Sequence, residues 1–117
     1  MSEPQKSSAR TIQFDGLTFA PRFEYGDQAQ AVEICGTGDG SELGTGFARL
    51  TNAEFPWTIK YDEILLVVEG NVTVQTKQGS FSAGPKDTIW LPKGTELVYK
   101  AESALIFYAI HPANWAE

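Results

Sequence analysis

Ten short runs of β-branched and aromatic residues follow one another along this chain, each closed by Gly, Pro, Asn or Asp. In order they are "TIQF", "AVEICG", "GTGFARL", "PWTIKY", "EILLVVEG", "VTVQTK", "GSFSAG", "DTIWLP", "TELVYKA" and "ALIFYAI". Nowhere do apolar residues recur at the 3.6-residue period of an amphipathic helix over the roughly ten positions a helix needs. So many short strands in 117 residues predict an all-β sandwich or barrel that closes on itself, because an open sheet would leave long unpaired edges. Gly70-Asn71, between "LLVV" and "VTVQ", predicts a tight hairpin, and "KQGS" predicts a second. "VTVQT" alternates strictly, so one of its faces should meet water.

Length and charge narrow the function classes. A chain of 117 residues, 42% of them hydrophobic, suits one modest core. A formal net charge of -6 repels phosphate backbones, which argues against a nucleic-acid partner. The longest apolar run, Ile64 to Val68, is strand-sized and far short of the roughly 20 residues of a membrane span. The opening "MSEPQKSSAR" is polar and has no apolar signal core; residues 1–10 are expected to be a flexible tail of a cytoplasmic protein, with residues 11–117 as one domain. Cys35 stands alone, so neither an intrachain disulfide nor a cysteine zinc site is available, and "VEICG" reads as housing for an inert core thiol. The Gly-rich segment 36–46, "GTGDGSELGTG", lacks the Lys-Ser or Lys-Thr and the following helix of a phosphate-cradling loop; it reads as a mobile connection between two strands.

Two further pieces carry a resemblance. In "DEILLVVEG", Glu63 is followed seven positions later by Gly70, and "DTIWLPKGTEL" contains Pro92-x-Gly94. Over about residues 45 to 110 these resemble the two motifs of the cupins, which implies an RmlC-like jelly-roll β-barrel. The metal-binding cupins place two histidines before the Glu, at positions held here by Trp57 and Ile59, or by Pro56 and Thr58 with the longer spacing. Their third histidine falls on Leu97. Only the carboxylate of Glu63 is kept, so no metal and no other cofactor is expected. More narrowly, "WTIKYDEILLVVEG", "WLPKGTEL" and the ending "FYAIHPANW" resemble the cupin domain of the ethanolamine-utilisation EutQ family and its single-domain relatives. That likeness implies a homodimer and a setting in bacterial small-molecule catabolism. An acetate kinase activity is associated with the family.

Alternate residues of a strand share a face. Trp57, Ile59, Tyr61 and Glu63 are therefore expected to face the barrel interior together, with Lys60 and Asp62 outside as a rim or interface pair. A carboxylate among aromatics forms a plausible small-molecule pocket, and its pKa should be raised. The expected ligand-binding set is Trp57, Ile59, Tyr61, Glu63, Trp90 and Leu97, with Glu63 and Tyr61 as the acid-base pair if the protein is an enzyme of isomerase, epimerase or lyase type. A Tyr61–Glu63 hydrogen bond that merely satisfies two polar groups at the barrel mouth is the competing reading. Trp90 reads equally as core or cavity wall. Glu69 is expected at a strand end, Lys93 in a solvated turn, and His111 on the surface or at a dimer contact. The primary reading is a metal-free binding or accessory protein for a small organic ligand such as an amine or amino alcohol.

Overall fold

The computed structural model describes residues 8–116 and has eight strands; nine of the ten expected runs form seven of them, and the eighth, Ala20–Pro21, lies outside the runs. The strands are β1 (Ala20–Pro21), β2 (Ala29–Cys35), β3 (Gly44–Thr58), β4 (Asp62–Gly70), β5 (Val72–Thr76), β6 (Gly79–Ala83), β7 (Thr88–Leu91) and β8 (Glu96–His111). All pairings are antiparallel. "GTGFARL" and most of "PWTIKY" fuse into β3, while "TELVYKA" and "ALIFYAI" fuse into β8. These two strands pair in one register from Gly44↔Ile110 to Thr58↔Glu96. Asn52, at φ 43°, takes a left-handed conformation partway along β3. Around this point the two long strands leave one sheet for the other: the first half of β3 pairs with β2, and β8 continues into β4 beyond Ala104 but into β5 at residues 98–100. The larger sheet runs β1-β2-β3-β8-β4-β7, and β5-β6 extends the other end of β8.

Between these layers lies the core. Leu65, Val67, Val72 and Val74 are fully buried, each worth about 1.5–3 kcal/mol of apolar burial. Period-2 alternation sets them there: in β5, Val72 and Val74 point inward while Thr73 and Gln75 stay partly wet.

Two expectations about strands and hairpins need correction. "TIQF" forms no strand; Phe14–Gly16 is a short 3₁₀ turn, and the Phe14 ring packs edge-on against Phe19 and Phe47. Tertiary packing of its aromatic overrides local strand propensity. Gly70-Asn71 makes no hairpin either, since β4 and β5 are not partners; both pair with β8. Gly70 is needed for a different reason. Its φ is +80°, and a Cβ there would strike the Ser103 carbonyl of β8. The second predicted turn does close a hairpin, β5–β6, through Lys77-Gln78.

The segment 36–43 links β2 to β3 and contains a 3₁₀ turn at Thr37–Asp39; Gly44–Gly46 already belong to β3. Cys35 is half-buried rather than a core thiol, with Sγ 3.1 Å from Thr45 Oγ1. Of the tail expected over 1–10, residues 1–7 lie outside the described residues; Arg10 pairs with Asp39 at 3.2 Å. Among the described residues, no helix is long and apolar enough to cross a membrane.

Candidate functional site

The chain between β3 and β4, Ile59 to Tyr61, is anchored by the turn between β7 and β8. The Ile59 N–H donates to the Thr95 carbonyl at 2.8 Å, and the Gly94 N–H donates to the Ile59 carbonyl at 2.8 Å. Gly94 supplies the positive φ (+95°) at the third residue of the Pro92–Thr95 turn, closed by Thr95 N–H to Pro92 carbonyl at 3.2 Å. Asp62 accepts the Lys93 backbone N–H at 3.0 Å. Pro-Lys-Gly is thus a bracket that fixes where β4 begins, and with it the direction of Glu63.

Glu63 pairs across the sheet with Leu91 on one side and Ile110 on the other. Its side chain lines a cavity of about 70 Å³, room for several waters or a small organic molecule. The wall is mostly aromatic and aliphatic: Tyr25, Phe55, Trp57, Tyr61, Tyr99 and Tyr108 stand around it, and Arg22 is the cation among its lining residues. Glu63 is only 5% exposed, and its Oε1 has no hydrogen-bond partner among the described residues. Burial pushes its pKa from 4.5 up to about 7, an effect that the Arg22 charge partly offsets.

The Tyr61 phenol accepts the Trp57 indole N–H at 3.3 Å. It makes no hydrogen bond to Glu63, so the reading of these two as a self-satisfied pair does not hold. Burial first, and then the Glu63 charge, push the Tyr61 pKa up to about 12. Tyr99 and Tyr108 are raised too, again chiefly by burial. All three phenols therefore stay neutral near pH 7 and can donate or accept. Tyr108 owes its place to Gly46, its cross-strand neighbour, where any Cβ would run into the Tyr108 ring and the Val32 carbonyl.

Further rings pack onto members of the lining. Phe23 stacks on Trp57 (centroids 5.4 Å, 18°), and Trp115 lies 5.0 Å from the Tyr61 ring. Tyr25 stacks on Phe55 at 4.6 Å. Arg22, Phe23 and Tyr25 belong to the connection between β1 and β2, closed by Arg22 N–H to Ala29 carbonyl at 2.9 Å and Tyr25 N–H to Arg22 carbonyl at 3.1 Å.

Of the residues expected at the site, Trp57, Tyr61 and Glu63 come together on this wall. The odd–even alternation persists from 57 to 63, although β3 ends at Thr58, and Lys60 and Asp62 are exposed as expected. Ile59 and Leu97 are instead packed in the core and are not part of the lining. Ile59 ties its backbone to the Pro92–Thr95 turn, and its side chain is consumed by the core. Trp90 is 58% exposed, on the outer face of β7, because Ile89 and Leu91 take the inward positions. His111 is exposed at the end of β8, and Lys93 and Glu69 are exposed as well. Sequence reasoning missed Arg22, Tyr25, Tyr99 and Tyr108. The alternation Leu97/Tyr99 and Ile106/Tyr108/Ile110 would have placed the last two inward; nothing local marks Arg22 or Tyr25. Among the described residues no cluster of three or more His, Cys, Asp or Glu is present. One carboxylate with apolar walls does not fit the metal centre of metal-binding cupins.

An antiparallel barrel with an aromatic cavity between its sheets, entered by the Glu of the first motif, is a cupin. A sugar phosphate isomerase of the cupin superfamily from Silicibacter pomeroyi has this fold (TM-score 0.68, 17% identity, 87% of this chain and 75% of that one); the likeness shows the fold alone. The ethanolamine utilization protein Q of Salmonella typhimurium LT2 superposes with a TM-score of 0.83 at 29% identity, covering 89% of this chain and 86% of that one. Residues 6–117 match the family described as ethanolamine utilisation protein EutQ, and the chain belongs to that family. Acetate kinase EutQ of Escherichia coli K12 is 40% identical over 78 residues, 66% of this chain. This chain matches about a third of that relative's length (34%).

Proposed function

We propose that this chain is a metal-free EutQ-family cupin that binds a small organic ligand in its barrel cavity, as a binding or accessory protein of small-molecule catabolism in the cytoplasm. One observation carries the reading: one Glu63 carboxylate oxygen is buried, without a partner among the described residues, on the wall of a cavity of about 70 Å³. A buried polar atom left unpaired costs about 1–3 kcal/mol, more when charged, and a ligand that supplies the missing contact recovers it. A thermal-shift and calorimetric screen of small amines, amino alcohols, sugars and carboxylates, acetate among them, tests this. Saturable binding that Glu63→Gln weakens is expected. A barrel that no member of the panel stabilises would refute the proposal.

A second reading is supported by the same carboxyl. With a pKa of about 7, Glu63 is poised for proton transfer near neutral pH, and the neutral Tyr61 phenol stands on the same wall. In this reading the pair performs acid-base chemistry of the isomerase, epimerase or lyase kind, or contributes to the acetate kinase activity for which the curated relatives are named. Turnover of a bound ligand, lost in Glu63→Gln with binding retained, favours it.

The proposal includes a homodimer. Ile64 and Trp90 are a cross-strand pair on the outer face of β4 and β7, both exposed, with Val68 exposed further along β4. A second subunit would cover this apolar face.

A further inference from the structure

Two opposite charges line the cavity, and neither is spent. Glu63 is 5% exposed, with Oε1 unpartnered among the described residues. The Arg22 guanidinium lies 4.7 Å over the ring of its own neighbour, Phe23, and no carboxylate forms an ion pair with it among the described residues. Arg22 and Glu63 feel each other electrostatically without touching. A ligand with one charged end satisfies only half of this arrangement. A cation at Glu63 leaves Arg22 unanswered across the same apolar space; an anion at Arg22 faces the unpaired carboxylate. Arg22 is half-exposed and water answers it in part; at the buried Glu63 an unmatched charge is the costlier case.

Resting on the ligand-binding reading above, we infer that the cavity is built for a small zwitterion of amino-acid type, its ammonium held by Glu63 and its acidic group by Arg22. The phenols of Tyr61, Tyr99 and Tyr108 and the rings of Phe55 and Trp57 complete the enclosure. Aromatic faces favour the ammonium end, and the phenols offer hydrogen bonds to either end. Such a ligand keeps Glu63 ionised. Arg22 from the β1–β2 connection is the charge that bears on the Glu63 proton; Tyr61 from the β3–β4 connection and Tyr99 and Tyr108 from β8 share the cavity with it as neutral phenols, their own pKa values raised in part by the Glu63 charge. At pH 7 binding therefore releases a fraction of a proton.

The experiment is calorimetry at pH 7, in two buffers of different ionisation enthalpy, with glycine, β-alanine and γ-aminobutyrate. Their single-headed counterparts, methylamine, ethylamine, propylamine, acetate, propionate and butyrate, are run alongside. The best-fitting zwitterion is expected to bind about tenfold or more tightly than either of its counterparts, the gain of one charge-assisted contact, with net proton release. Glu63→Gln should erase its advantage over the acid, and Arg22→Gln its advantage over the amine, while Arg22→Lys retains most of it. Melting curves of the three variants confirm that each is folded. An acid that binds as tightly as the zwitterion, with proton uptake, overturns the inference in favour of a protonated Glu63 donating to an anion. An amine that binds as tightly overturns it too. In both cases the ligand-binding reading stands, as it does if only a neutral member of the wider screen binds. If nothing in either set binds, both fall.

Discussion

The Trp57 indole N–H donates to the Tyr61 phenolic oxygen at 3.3 Å, joining β3 near its end to the short connection that leads into β4. Tyr61→Phe removes the acceptor while keeping the ring against Trp115. A loss of about 1 kcal/mol is expected in urea unfolding. A double-mutant cycle with Trp57→Phe should return a coupling of similar size, and a coupling near zero would show that the bond contributes nothing.

Glu63 makes stability depend on pH with a definite sign. Its carboxyl ionises near 4.5 when unfolded and near 7 when folded, so the native state holds the extra proton between these values. Stability from this group is complete below pH 4.5 and drains away as pH rises through 7, by up to about 3 kcal/mol. Glu63→Gln copies the protonated shape. The mutant is expected to match the wild type near pH 4.5 and to exceed it near pH 8, as read from denaturant midpoints. Parallel pH profiles for the two proteins would contradict the raised pKa.

Much of this site could be read from residues near one another in the chain. Alternation through "WTIKYDE" separates the inward set from Lys60 and Asp62, and the Pro92-x-Gly94 spacing points to the turn that anchors Ile59 and Asp62. What stayed hidden depends on distant pairing. "TIQF" has strand composition, but its Phe14 finds Phe19 and Phe47. Gly70-Asn71 has hairpin chemistry, but its flanking strands find different stretches of β8. Trp90 and Leu97 sit in apolar runs whose registers are set only when β7 meets β4 and β8 meets β3. Arg22 reaches the cavity through a connection that carries no periodic signal at all.

Gly46 is a second place where backbone proximity decides. Because a Cβ there meets both the Tyr108 ring and the Val32 carbonyl, Gly46→Ala should cost about 1–3 kcal/mol, as overpacking does. Pairing it with Tyr108→Phe relieves little, since the ring carbon as well as the hydroxyl is in the way. A Gly46→Ala variant with wild-type melting temperature would refute the close approach.

The exposed Ile64–Trp90 pair bears on assembly. Light scattering at micromolar concentration is expected to give twice the chain mass, and Ile64→Lys with Trp90→Lys a single chain mass with its fold retained. A wild-type protein of single-chain mass would remove the dimer from the proposal.

β8 has a consequence for which parts of the site can move. Tyr99, Ile106, Tyr108 and Ile110 all hang from this strand, which is hydrogen-bonded to β3 along its length and to β4 or β5 on its other side. Arg22, Phe23 and Trp115 hang instead from short turns at the ends of strands. The paired strand is the stiff part of the cavity's surroundings and the turns are the soft part. Amide protons of β8 should exchange only when the whole protein unfolds, while those of residues 22–28 and 113–116 exchange through small local openings. Motion at these turns would then shift the rings packed on Trp57 and Tyr61 while the barrel stays paired.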